Sequence, residues 1–372
     1  MKKIIILTAK TGGGHLSLTQ SVINSLNKYF PNKYKIITHF PNPLNFAYIH
    51  NNIFTGNLPI IWNIIWVLTN NSLGYYLISI FYPSKKLKRF LKTQNPYLVI
   101  SNNPIVIGSL VRIKKKLNLK FKIVVHIADP FAIHKAWYGA KNNVYYLCPT
   151  NTAKKILIKN GINKKNIFFT GWSIREPFFK DAANFKNIKK LHHIKNKSFL
   201  IFLSASSGKK SVYLNFINNF IKHKLYKKSH LIINCGNNFN YIKAIKNKIK
   251  QYKNRIILIP YIKNMEDYIY NSNLIIGKAG PNFLFEVLYL NKPLILISYV
   301  PGQEKANVDF AIKNKFAWYA PKPKQYLPII KSLINNKKTF YLNFRKLEKF
   351  TIKHKSTNKK VACAINKIVG TI

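Results

Sequence analysis

Short apolar runs rich in isoleucine and valine alternate along this chain with stretches whose apolar residues recur every three or four positions. The first pattern is typical of buried strands and the second of amphipathic helices. In the first half of the chain the strand-like runs are KKIIIL, YKIITHF, YLVISNN, FKIVVHIAD, NVYYLCP and IFFTG. This alternation predicts βαβ units, in which a parallel sheet is covered by helices on both faces.

The alternation stops after residue 175 and begins again near residue 197. The stretch in between is polar, rich in lysine and without periodicity, as is typical of a linker. The later strand-like runs are KSFLIFL, LIINCG, RIILIPY, LIIGKAG and PLILISY. Because 372 residues are also too many for one ordinary core, we predict an α/β protein with two doubly wound parallel-sheet domains. The predicted boundaries are 1–175 for the first domain, 176–196 for the linker, 197–345 for the second domain and 346–372 for a helix packing back on the first.

The segment 53–82 does not fit this alternation, because it is apolar and aromatic almost throughout. It is interrupted at Pro59, at Asn70–Asn71 and at Gly74. No uninterrupted piece therefore reaches the ~20 apolar residues that a membrane span needs. The segment is either a set of buried core helices or an interfacial segment that dips into a bilayer. Trp62 and Trp66, followed by the basic run KKLKR, suit the second interpretation.

The charge balance is extreme, with 62 Lys and Arg residues against 9 Asp and Glu residues and a net charge of +53. A general drift of composition toward Lys, Asn and Ile accounts for part of it. A functional interpretation is a polyanionic partner, either nucleic acid or an anionic membrane surface. Since the basic residues are spread over the whole chain and form no stripe, we expect no nucleic-acid partner.

Acidic residues are so rare that each one is informative. The nine are Asp129, Glu176, Asp181, Glu266, Asp267, Glu286, Glu304, Asp309 and Glu348. No pair of them has the spacing of a metal-binding motif, so we expect no metal cofactor. The three cysteines, Cys148, Cys235 and Cys363, are scattered, which argues against a disulfide framework and favours a reducing compartment. The N-terminus reads as a first strand and not as a signal peptide.

Two small-residue loops follow strand-like runs, TGGGH at 11–15 and SASSG at 204–208. A loop of this kind at the start of a helix exposes backbone N–H groups that suit an anion, although each also fits a turn needed only for packing. In open α/β sheets the ligand crevice lies at the carboxyl ends of the strands. Two facing domains with one such loop each would enclose a cleft.

The stretch 274–309 carries the stronger signal. One strand ends in Gly277–Pro281, the following helix carries Glu286, and the next strand is followed by Gln303, Glu304 and Asn307. Carboxylates gathered in this way suit vicinal hydroxyl groups, because one carboxylate accepts from two neighbouring OH groups. Such a diol belongs to a ribose or a hexose.

Several motifs in both halves of the chain resemble those of a known family. IPYIKNMEDYI, GKAGPNFLFEVLYLNKPLIL and PGQEKANV resemble the C-terminal half of the monogalactosyldiacylglycerol synthase and processive diacylglycerol glucosyltransferase family. Its wider relatives include the lipid II-forming N-acetylglucosaminyltransferase. TGGGH, HIADPFAIHKAWYGAKNN and FFTGWSIREPFF resemble the N-terminal half. The resemblance covers most of the chain with the motifs in the same order.

The resemblance implies a GT-B fold, in which two Rossmann-like domains face each other across a cleft. It implies a peripheral enzyme on the cytoplasmic side of a membrane that moves a hexose from UDP-glucose or UDP-galactose to diacylglycerol or a related lipid. The implied catalytic residues are His15 and Asp129. The implied donor-site residues are Gly13, Gly14, Ser206, Ser207, Gly208, Tyr261, Asn264, Lys278, Gly280, Pro281, Glu286, Gln303, Glu304 and Asn307. The resemblance also implies His134 and Trp137 near the acceptor, and the apolar segment adds Trp62 and Trp66 as candidates for contact with the acceptor or the membrane.

Within that pattern Glu286 would bind the ribose, and Gln303 and Glu304 the donor hexose. The chain departs from the family at AGPN, where the family has AGPG. Asn282 tolerates a left-handed conformation, so the turn is compatible with it. Phe283, the next residue, has no hydroxyl to donate to a phosphate.

An inverting transfer needs a base for the acceptor hydroxyl and positive charge for the leaving UDP. His15 and Asp129 are both candidates for the base, and a third possibility is that His15 is structural. Other functions remain open at this stage: transfer to a polyprenyl-linked sugar, a nucleotide-sugar epimerase on the same fold, or a basic nucleic-acid-binding protein. The apolar segment 53–82 argues against the epimerase, whose soluble substrate needs no such surface. A nucleic-acid-binding protein would leave the two small-residue loops unexplained.

Overall fold

The protein consists of two α/β halves, each with a six-stranded parallel sheet, in a computed structural model. The structure describes residues 1–9, 12–41, 58–82, 84–141, 144–237, 239–336 and 342–370. Residues 10–11 of the first loop, 53–57 of the apolar segment and 371–372 lie outside these ranges. The predicted α/β class with two doubly wound sheets is confirmed.

The first sheet has the strand order β2-β1-β3-β4-β5-β6. Its strands are β1 Lys2–Leu7, β2 Tyr34–His39, β3 Leu98–Ser101, β4 Lys122–His126, β5 Val144–Cys148 and β6 Ile167–Phe169. The helices of this half are α1 Gly12–Tyr29, α2 Pro59–Thr69, α3 Ser72–Phe81, α4 Lys85–Gln94, α5 Pro104–Lys116, α6 Lys135–Tyr138 and α7 Asn151–Lys159. The central strands are apolar on both faces because helices cover both sides, so that all four residues of β3 are buried.

The second sheet has the order β12-β11-β10-β7-β8-β9. Its strands are β7 Phe199–Ser204, β8 Ser229–Asn234, β9 Ile256–Ile259, β10 Leu274–Lys278, β11 Leu294–Ser298 and β12 Trp318–Tyr319. The remaining helices are α8 Ile188–Leu191, α9 Lys210–Lys222, α10 Phe239–Ile249, α11 Met265–Asn271, α12 Pro281–Tyr289, α13 Lys305–Lys313, α14 Pro323–Ile334, α15 Phe344–His354 and α16 Thr357–Gly370. Short 3₁₀ turns lie at Lys164–Asn166, Glu176–Phe179, Ala182–Asn184, Leu225–Lys227 and Lys250–Tyr252.

Each small-residue loop follows the first strand of its sheet, and later strands are added first on one side of that strand and then on the other. In the first sheet the chain adds β2 on one side of β1 and then β3 on the other. In the second sheet it adds β8 and β9 on one side of β7 and then β10 on the other. Ligands of open α/β sheets bind outside the carboxyl ends of the strands at such a switch point. The strand order therefore makes these two loops the natural ligand sites of their domains.

Residues from 346 onward form two helices and not one. Helix α15 stays on the second half, where the Thr351 hydroxyl donates to the Leu288 carbonyl oxygen at 3.3 Å. Helix α16 crosses to the first half and packs its apolar side on the sheet. The core that it completes contains Ile4, Ile6, Val22, Leu26, Leu98, Ile100, Val124, Leu147, Val361, Ala362, Ile365 and Ile368.

The chain passes between the two halves twice, and the two passages are hydrogen-bonded to each other. The first runs through Trp172–Arg175 and the second leads into α16. The backbone N–H of Ile174 donates to the Asn358 side-chain oxygen at 3.2 Å, and the Asn358 amide donates back to the Ile174 carbonyl at 2.8 Å. We call the segment Trp172–Arg175, together with the residues that lead into α16, the hinge.

Helices α2 and α3 carry an apolar face that points away from the protein. Its exposed residues are Ile60, Ile61, Ile64, Val67 and Leu68 on α2, and Leu73, Tyr76, Leu77, Ile80 and Phe81 on α3. On both helices the positions are i, i+1 or i+3, i+4, i+7 and i+8, which is the spacing of one amphipathic face. A core-facing face with this spacing would be buried, so the interpretation as buried core helices is wrong for this side of the pair.

The opposite side of α3 is fixed to the domain through small residues. A Cβ built on Gly108 of α5 would lie 2.3 Å from the Ser79 Cβ, so the two helices touch closely. The Ser109 hydroxyl and the Arg112 guanidinium both donate to the Ser79 carbonyl at 2.8 Å. No single described helix is long and apolar enough to cross a membrane, but α2 and α3 form a pair, bent by 102°, that meets the length and composition criteria together.

Candidate active site

His15 lies in the first turn of α1, directly after the glycines of the first switch-point loop. Its Nδ1 is 2.7 Å from the carbonyl oxygen of Asn102, at the end of the adjacent strand β3. Because a carbonyl oxygen can only accept, Nδ1 carries the hydrogen and Nε2 holds the lone pair of the neutral ring. The Asn102 amide also donates to the His15 carbonyl at 3.0 Å. The imidazole is thus oriented by a residue from the other side of the switch point.

Asp129 follows β4 and is 4% exposed. Its Oδ2 accepts from the indole N–H of Trp137 at 2.6 Å, and its Oδ1 accepts from the side-chain amide of Gln303 at 3.0 Å. Burial raises the pKa of this carboxyl to about 6, although both hydrogen bonds act in the opposite direction. The carboxylate is poised to change its charge near neutral pH.

His134 and Trp137 are buried at the start of helix α6, where Trp137 contacts Asp129. Nδ1 of His134 accepts from the backbone N–H of Ala136 at 3.1 Å, so it begins helix α6 as a cap. Its Nε2 carries the hydrogen and donates to the Trp66 carbonyl at 3.2 Å. Burial lowers the pKa of this imidazole to about 4, so it is neutral at physiological pH. These contacts join His134 to α2 and Trp137 to Asp129.

Apart from the contacts of the hinge, two side-chain hydrogen bonds among the described residues cross the cleft between the halves. One joins Gln303 to Asp129, as described above. The other joins the Asn282 amide to the carbonyl oxygen of Gly14 at 2.7 Å. Asn282 lies in the first turn of α12 and has ordinary helical backbone angles, so the expected left-handed turn is not formed. Instead its side chain ties the second half to the loop that carries His15.

The second switch-point loop contains Ser206, Ser207 and Gly208. Gly208 has φ +93°, and a Cβ there would lie 3.0 Å from the Cδ of Lys278. Only glycine fits this turn without strain. The Tyr213 hydroxyl donates to the Ser207 carbonyl at 2.6 Å and holds the loop in place. Lys278, from the neighbouring strand, thus lies alongside the loop.

Gly280 and Pro281 begin helix α12 on the other side of Lys278. A Cβ on Gly280 would lie 3.4 Å from the Lys278 ammonium and 3.6 Å from the Glu304 carboxylate. Lys278 forms an ion pair with Glu304. The Glu304 carboxylate also accepts from the backbone N–H of Val300 at 2.8 Å. The start of α12 therefore presents backbone N–H groups beside a cation, which suits a diphosphate.

Asn307 is 1% exposed and contributes a polar atom that has no partner among the described residues. Its amide donates to the Ala279 carbonyl at 2.8 Å, while its side-chain oxygen is buried without a hydrogen bond.

Phe283, the other departure from the family pattern, packs its ring on Gly277, where a Cβ would lie 2.6 Å from the ring.

Glu286 is 4% exposed, and both of its oxygens accept from one arginine. The Arg175 Nε lies 2.5 Å from Oε1 and its Nη2 lies 2.8 Å from Oε2. Burial raises the pKa of the Glu286 carboxyl and Arg175 lowers it, while the nearby Glu266 raises it again. Glu286 is therefore already paired with a cation in the absence of any ligand.

Arg175 was not predicted from the sequence, although a signal was available. Only five of the 62 basic residues are arginine, at 89, 112, 175, 255 and 345. The argument that made each rare acid informative applies equally to arginine in a lysine-rich chain. Arg175 is the arginine in the FFTGWSIREPFF motif of the hinge.

Tyr261 and Asn264 lie at the start of the segment that leads into α11. Tyr261 is 59% exposed, so its ring is available at the mouth of the site. The Asn264 amide donates to Asp267 at 2.9 Å. Asp267 and Glu266 are both buried and both pair with Lys180 of the hinge region, at 3.4 and 3.1 Å.

Trp62 and Trp66 lie on the inner side of α2 and not on its exposed face. The Trp66 ring lies against Gly302, where a Cβ would be 2.8 Å from the indole. The centroids of the Trp66 and His134 rings are 4.7 Å apart. Trp62 lies beside Trp66 at a centroid distance of 6.2 Å. The two tryptophans connect the apolar helices to the cleft. Within the described ranges, no group of three or more His, Cys, Asp or Glu side chains could hold a metal ion.

Two family models match this chain, one in each half. Residues 61–174 match monogalactosyldiacylglycerol (MGDG) synthase, and residues 208–360 match the glycosyltransferase family 28 C-terminal domain. Among curated proteins, a processive diacylglycerol beta-glucosyltransferase of Staphylococcus haemolyticus is 24% identical over 95% of this chain and 90% of its own length. The chloroplastic monogalactosyldiacylglycerol synthase of Spinacia oleracea is 24% identical over 87% of this chain and 64% of its own length.

Solved structures share the fold over nearly the whole chain at low sequence identity. A putative UDP-N-acetylglucosamine 2-epimerase from Listeria monocytogenes matches with a TM-score of 0.64 and 11% identity, covering 100% of this chain and 98% of its own. MurG of Acinetobacter baumannii matches with a TM-score of 0.54 and 14% identity, covering 99% and 100%. These likenesses show the two-domain GT-B architecture alone.

Proposed function

We propose, from the premise that the chain belongs to the glycosyltransferase family of processive diacylglycerol glucosyltransferases and monogalactosyldiacylglycerol synthases, that it transfers a hexose from a UDP-sugar to diacylglycerol and so makes a glycolipid. The observation that carries the proposal is that polar side chains of different chemistry, one set from each half, face each other across the cleft. A histidine and a buried carboxylate come from the first half, and a loop with carboxylates and a lysine comes from the second. Hydrogen bonds from Gln303 and Asn282 hold the two sets together.

The acceptor hydroxyl loses its proton to Nε2 of His15 in this proposal. The hydroxyl oxygen then bonds to the anomeric carbon as the bond from that carbon to the diphosphate oxygen breaks, and UDP leaves. The hydrogen bond from Nδ1 to Asn102 keeps the basic lone pair on Nε2 and stabilises the imidazolium that forms. Asp129 takes the orienting role, because its hydrogen bonds tie Trp137 of the first half to Gln303 of the second.

The donor is held by the second half. The ribose binds at Glu286, the diphosphate lies between Ser206–Gly208 and the start of α12, and the hexose contacts Gln303 and Glu304. Tyr261 and Asn264 flank the uracil. Lys278 and the helix N-terminus supply the positive charge that the leaving UDP needs. UDP-glucose and UDP-galactose both fit this description.

The acceptor enters from a membrane surface against which the exposed face of α2 and α3 rests. Monomeric soluble proteins rarely expose so large a continuous apolar patch without a function for it. Helix α4 follows directly, with exposed Lys85, Lys86, Lys88 and Arg89, while Leu87 and Leu91 are buried. Those cations suit anionic headgroups beside the inserted apolar residues. The protein is thus a peripheral membrane enzyme.

The test is incubation with labelled UDP-glucose or UDP-galactose and vesicles that contain diacylglycerol, followed by lipid extraction. We expect labelled glycosyldiacylglycerol with one of the two sugars and none without diacylglycerol. Parallel incubations contain a polyprenyl-linked sugar as acceptor, or UDP-N-acetylglucosamine with no lipid. Label on the polyprenyl acceptor alone, or epimerised nucleotide-sugar without transfer, would replace the proposal with one of those activities.

A further inference from the structure

The hinge contributes an arginine to the second domain at the position where a ligand is expected. Arg175 pairs with Glu286 through Nε and Nη2, so the guanidinium meets the carboxylate side-on with two parallel hydrogen bonds. This geometry fixes the plane of the carboxylate as well as its charge. A lysine in the same place would neutralise the charge without fixing the plane.

The two hydrogen bonds leave acceptor capacity on the carboxylate. Each carboxylate oxygen has two lone pairs, and Arg175 uses one on each oxygen. One lone pair on each oxygen therefore remains for a further donor. Two vicinal hydroxyl groups need this arrangement, because each hydroxyl donates to a different oxygen of the same ionised carboxylate.

The surroundings of Glu286 would otherwise favour its neutral form. The carboxyl is buried on α12, and the like charge of Glu266 on α11 acts against ionisation. Helix α15 packs on α12 through Phe350 and Thr351, which carry no charge. Helix α1 meets α12 at the Gly14–Asn282 contact, next to the titratable His15. Arg175 is the cation that lowers the pKa of Glu286.

We propose that Arg175 is a positioning residue of the donor site, which holds the Glu286 carboxylate ionised and in the plane that accepts both hydroxyls of the donor's ribose. This inference rests on the proposed assignment of Glu286 to the ribose. It adds a residue from the interdomain hinge to nucleotide recognition. Five residues later, the Lys180 ammonium lies between the carboxylates of Glu266 and Asp267 on α11, so a second cation of this segment also pairs with acids of the second half.

The test compares UDP with 2′,3′-dideoxy-UDP, which lacks both ribose hydroxyls, by calorimetry at about pH 6 and about pH 8. The variants are Arg175→Met, Arg175→Lys and Glu286→Gln. Glu286→Gln does not titrate and serves as the reference for the titration of the UDP phosphate itself. Arg175→Lys keeps the charge and serves as the variant that folds if the methionine variant does not.

We expect Arg175→Met to weaken UDP binding about tenfold or more, and to weaken it less at the higher pH, because without the guanidinium the buried carboxyl is more readily neutral at the lower pH. Arg175→Lys should lie between this variant and the wild type, because it keeps one of the two hydrogen bonds. Binding of dideoxy-UDP should be the same in all variants that fold.

Two results would overturn the role of Arg175. Equal weakening of both ligands in the Arg175 variants would make its role merely structural. Tighter binding of UDP by Arg175→Met would mean that Arg175 competes with the ribose. The assignment of Glu286 fails separately, if Glu286→Gln binds UDP as tightly as the wild type does.

Discussion

The side-chain amide of Asn282 donates across the cleft to the carbonyl oxygen of Gly14, with 2.7 Å between the two atoms. A Cβ on Gly14 would lie 3.3 Å from the same nitrogen, so the loop reaches this contact only with a small residue there. His15 is the next residue. The position of the proposed base relative to the second domain is therefore set partly by a residue of that domain.

Replacing Asn282 by Asp should lower kcat more than it changes UDP affinity. Aspartate has almost the same size but cannot donate when ionised, and it repels the Gly14 carbonyl. The loss of a hydrogen bond worth about 0.5–1.5 kcal/mol predicts a decrease in kcat of roughly threefold to tenfold. Steady-state kinetics and UDP calorimetry measure the two quantities.

Asn314→Asp is the matched control, because the Asn314 amide also donates to one carbonyl oxygen at 2.8 Å, that of Phe310 within its own half. The control should keep its turnover. A loss in both variants, or a loss of UDP affinity equal to the loss of turnover in the first, would contradict the bridging role.

His15→Ala and Asp129→Asn should each reduce turnover on diacylglycerol by roughly 100-fold, the usual scale for the loss of a base or of its orientation. UDP affinity should stay near that of the wild type, because both residues lie in the first half. In addition, the acid limb of the wild-type kcat profile should include a step near pH 6, since the pKa of Asp129 is about 6.

The two variants separate the contributions to that limb. In His15→Ala the step near pH 6 should persist in the residual activity, and in Asp129→Asn it should be absent. A step that disappears with His15 and remains in Asp129→Asn would assign the titration to the imidazole.

Asp129→Asn should also increase the free energy of unfolding at neutral pH. The pKa of Asp129 in the folded protein, about 6, lies above the ordinary value of 3.8 that it has in the unfolded chain. The group therefore stabilises the fold below about pH 4 and loses that contribution as the pH rises through 6. Asparagine does not titrate. The advantage of the variant should grow by roughly 1–2 kcal/mol between about pH 5 and pH 7.5.

Urea unfolding at the two pH values measures this difference. The same comparison with Asp309→Asn, which removes an exposed carboxylate, is the control. A constant difference for Asp129→Asn at both pH values would contradict the raised pKa.

Replacing Leu68 and Phe81 together by serine should weaken binding to vesicles that contain anionic lipid. Their side chains are 68% and 77% exposed on the outward face, and transfer of each into the bilayer contributes about 1.5–3 kcal/mol. Vesicle sedimentation should show at least tenfold weaker binding. Turnover on vesicle-embedded diacylglycerol should fall, whereas turnover on detergent-dispersed acceptor should not.

Two further variants make this result specific. Ile352→Ser removes an equally exposed apolar residue, at 60%, from helix α15 and should change neither measurement. Trp66→Ser removes the ring that lies against Gly302, so it should reduce turnover on both forms of the acceptor alike. If Trp66→Ser affected only vesicle turnover, its ring would act in the membrane and not in the cleft.

Activity should persist after treatment with a chelator. The proposed position of the diphosphate lies beside Lys278 and the N–H groups at the start of α12, which would offset its charge in place of a metal ion. The measurement is transfer before and after EDTA, followed by addition of Mg²⁺ or Mn²⁺. Activity that is abolished by EDTA and restored by one of these ions would contradict the prediction.

The apolar runs predicted the strands well, because central strands of a parallel sheet are apolar on both faces and stand out against a lysine-rich background. Strand β12 was missed, since it has only two residues. The strand order could not be predicted, because it depends on which helices pack together over long separations. The coincidence of the small-residue loops with the two switch points became visible only in the structure.

The orientation of α2 was also beyond the sequence. Its residues PIIWNIIWVLT are apolar on almost every side, so periodicity does not tell which face meets the protein. The tryptophans turn inward because the cleft offers Gly302 and the His134 ring as partners. The pairing of Glu286 with Arg175 could not be predicted either, because nothing in the sequence around Glu286 indicates a partner more than 100 residues earlier in the chain.

The position of α16 has a consequence for synthesis on the ribosome. The first sheet is complete in the nascent chain by Phe169, yet the residues that cover Ile4, Ile6 and Leu26 follow about 190 residues later. During that interval an apolar face of the first sheet is exposed while the second half is still being translated. We therefore expect the growing polypeptide to need protection from aggregation until Gly370 has emerged, and truncation before Thr357 to destabilise the first half and not the second.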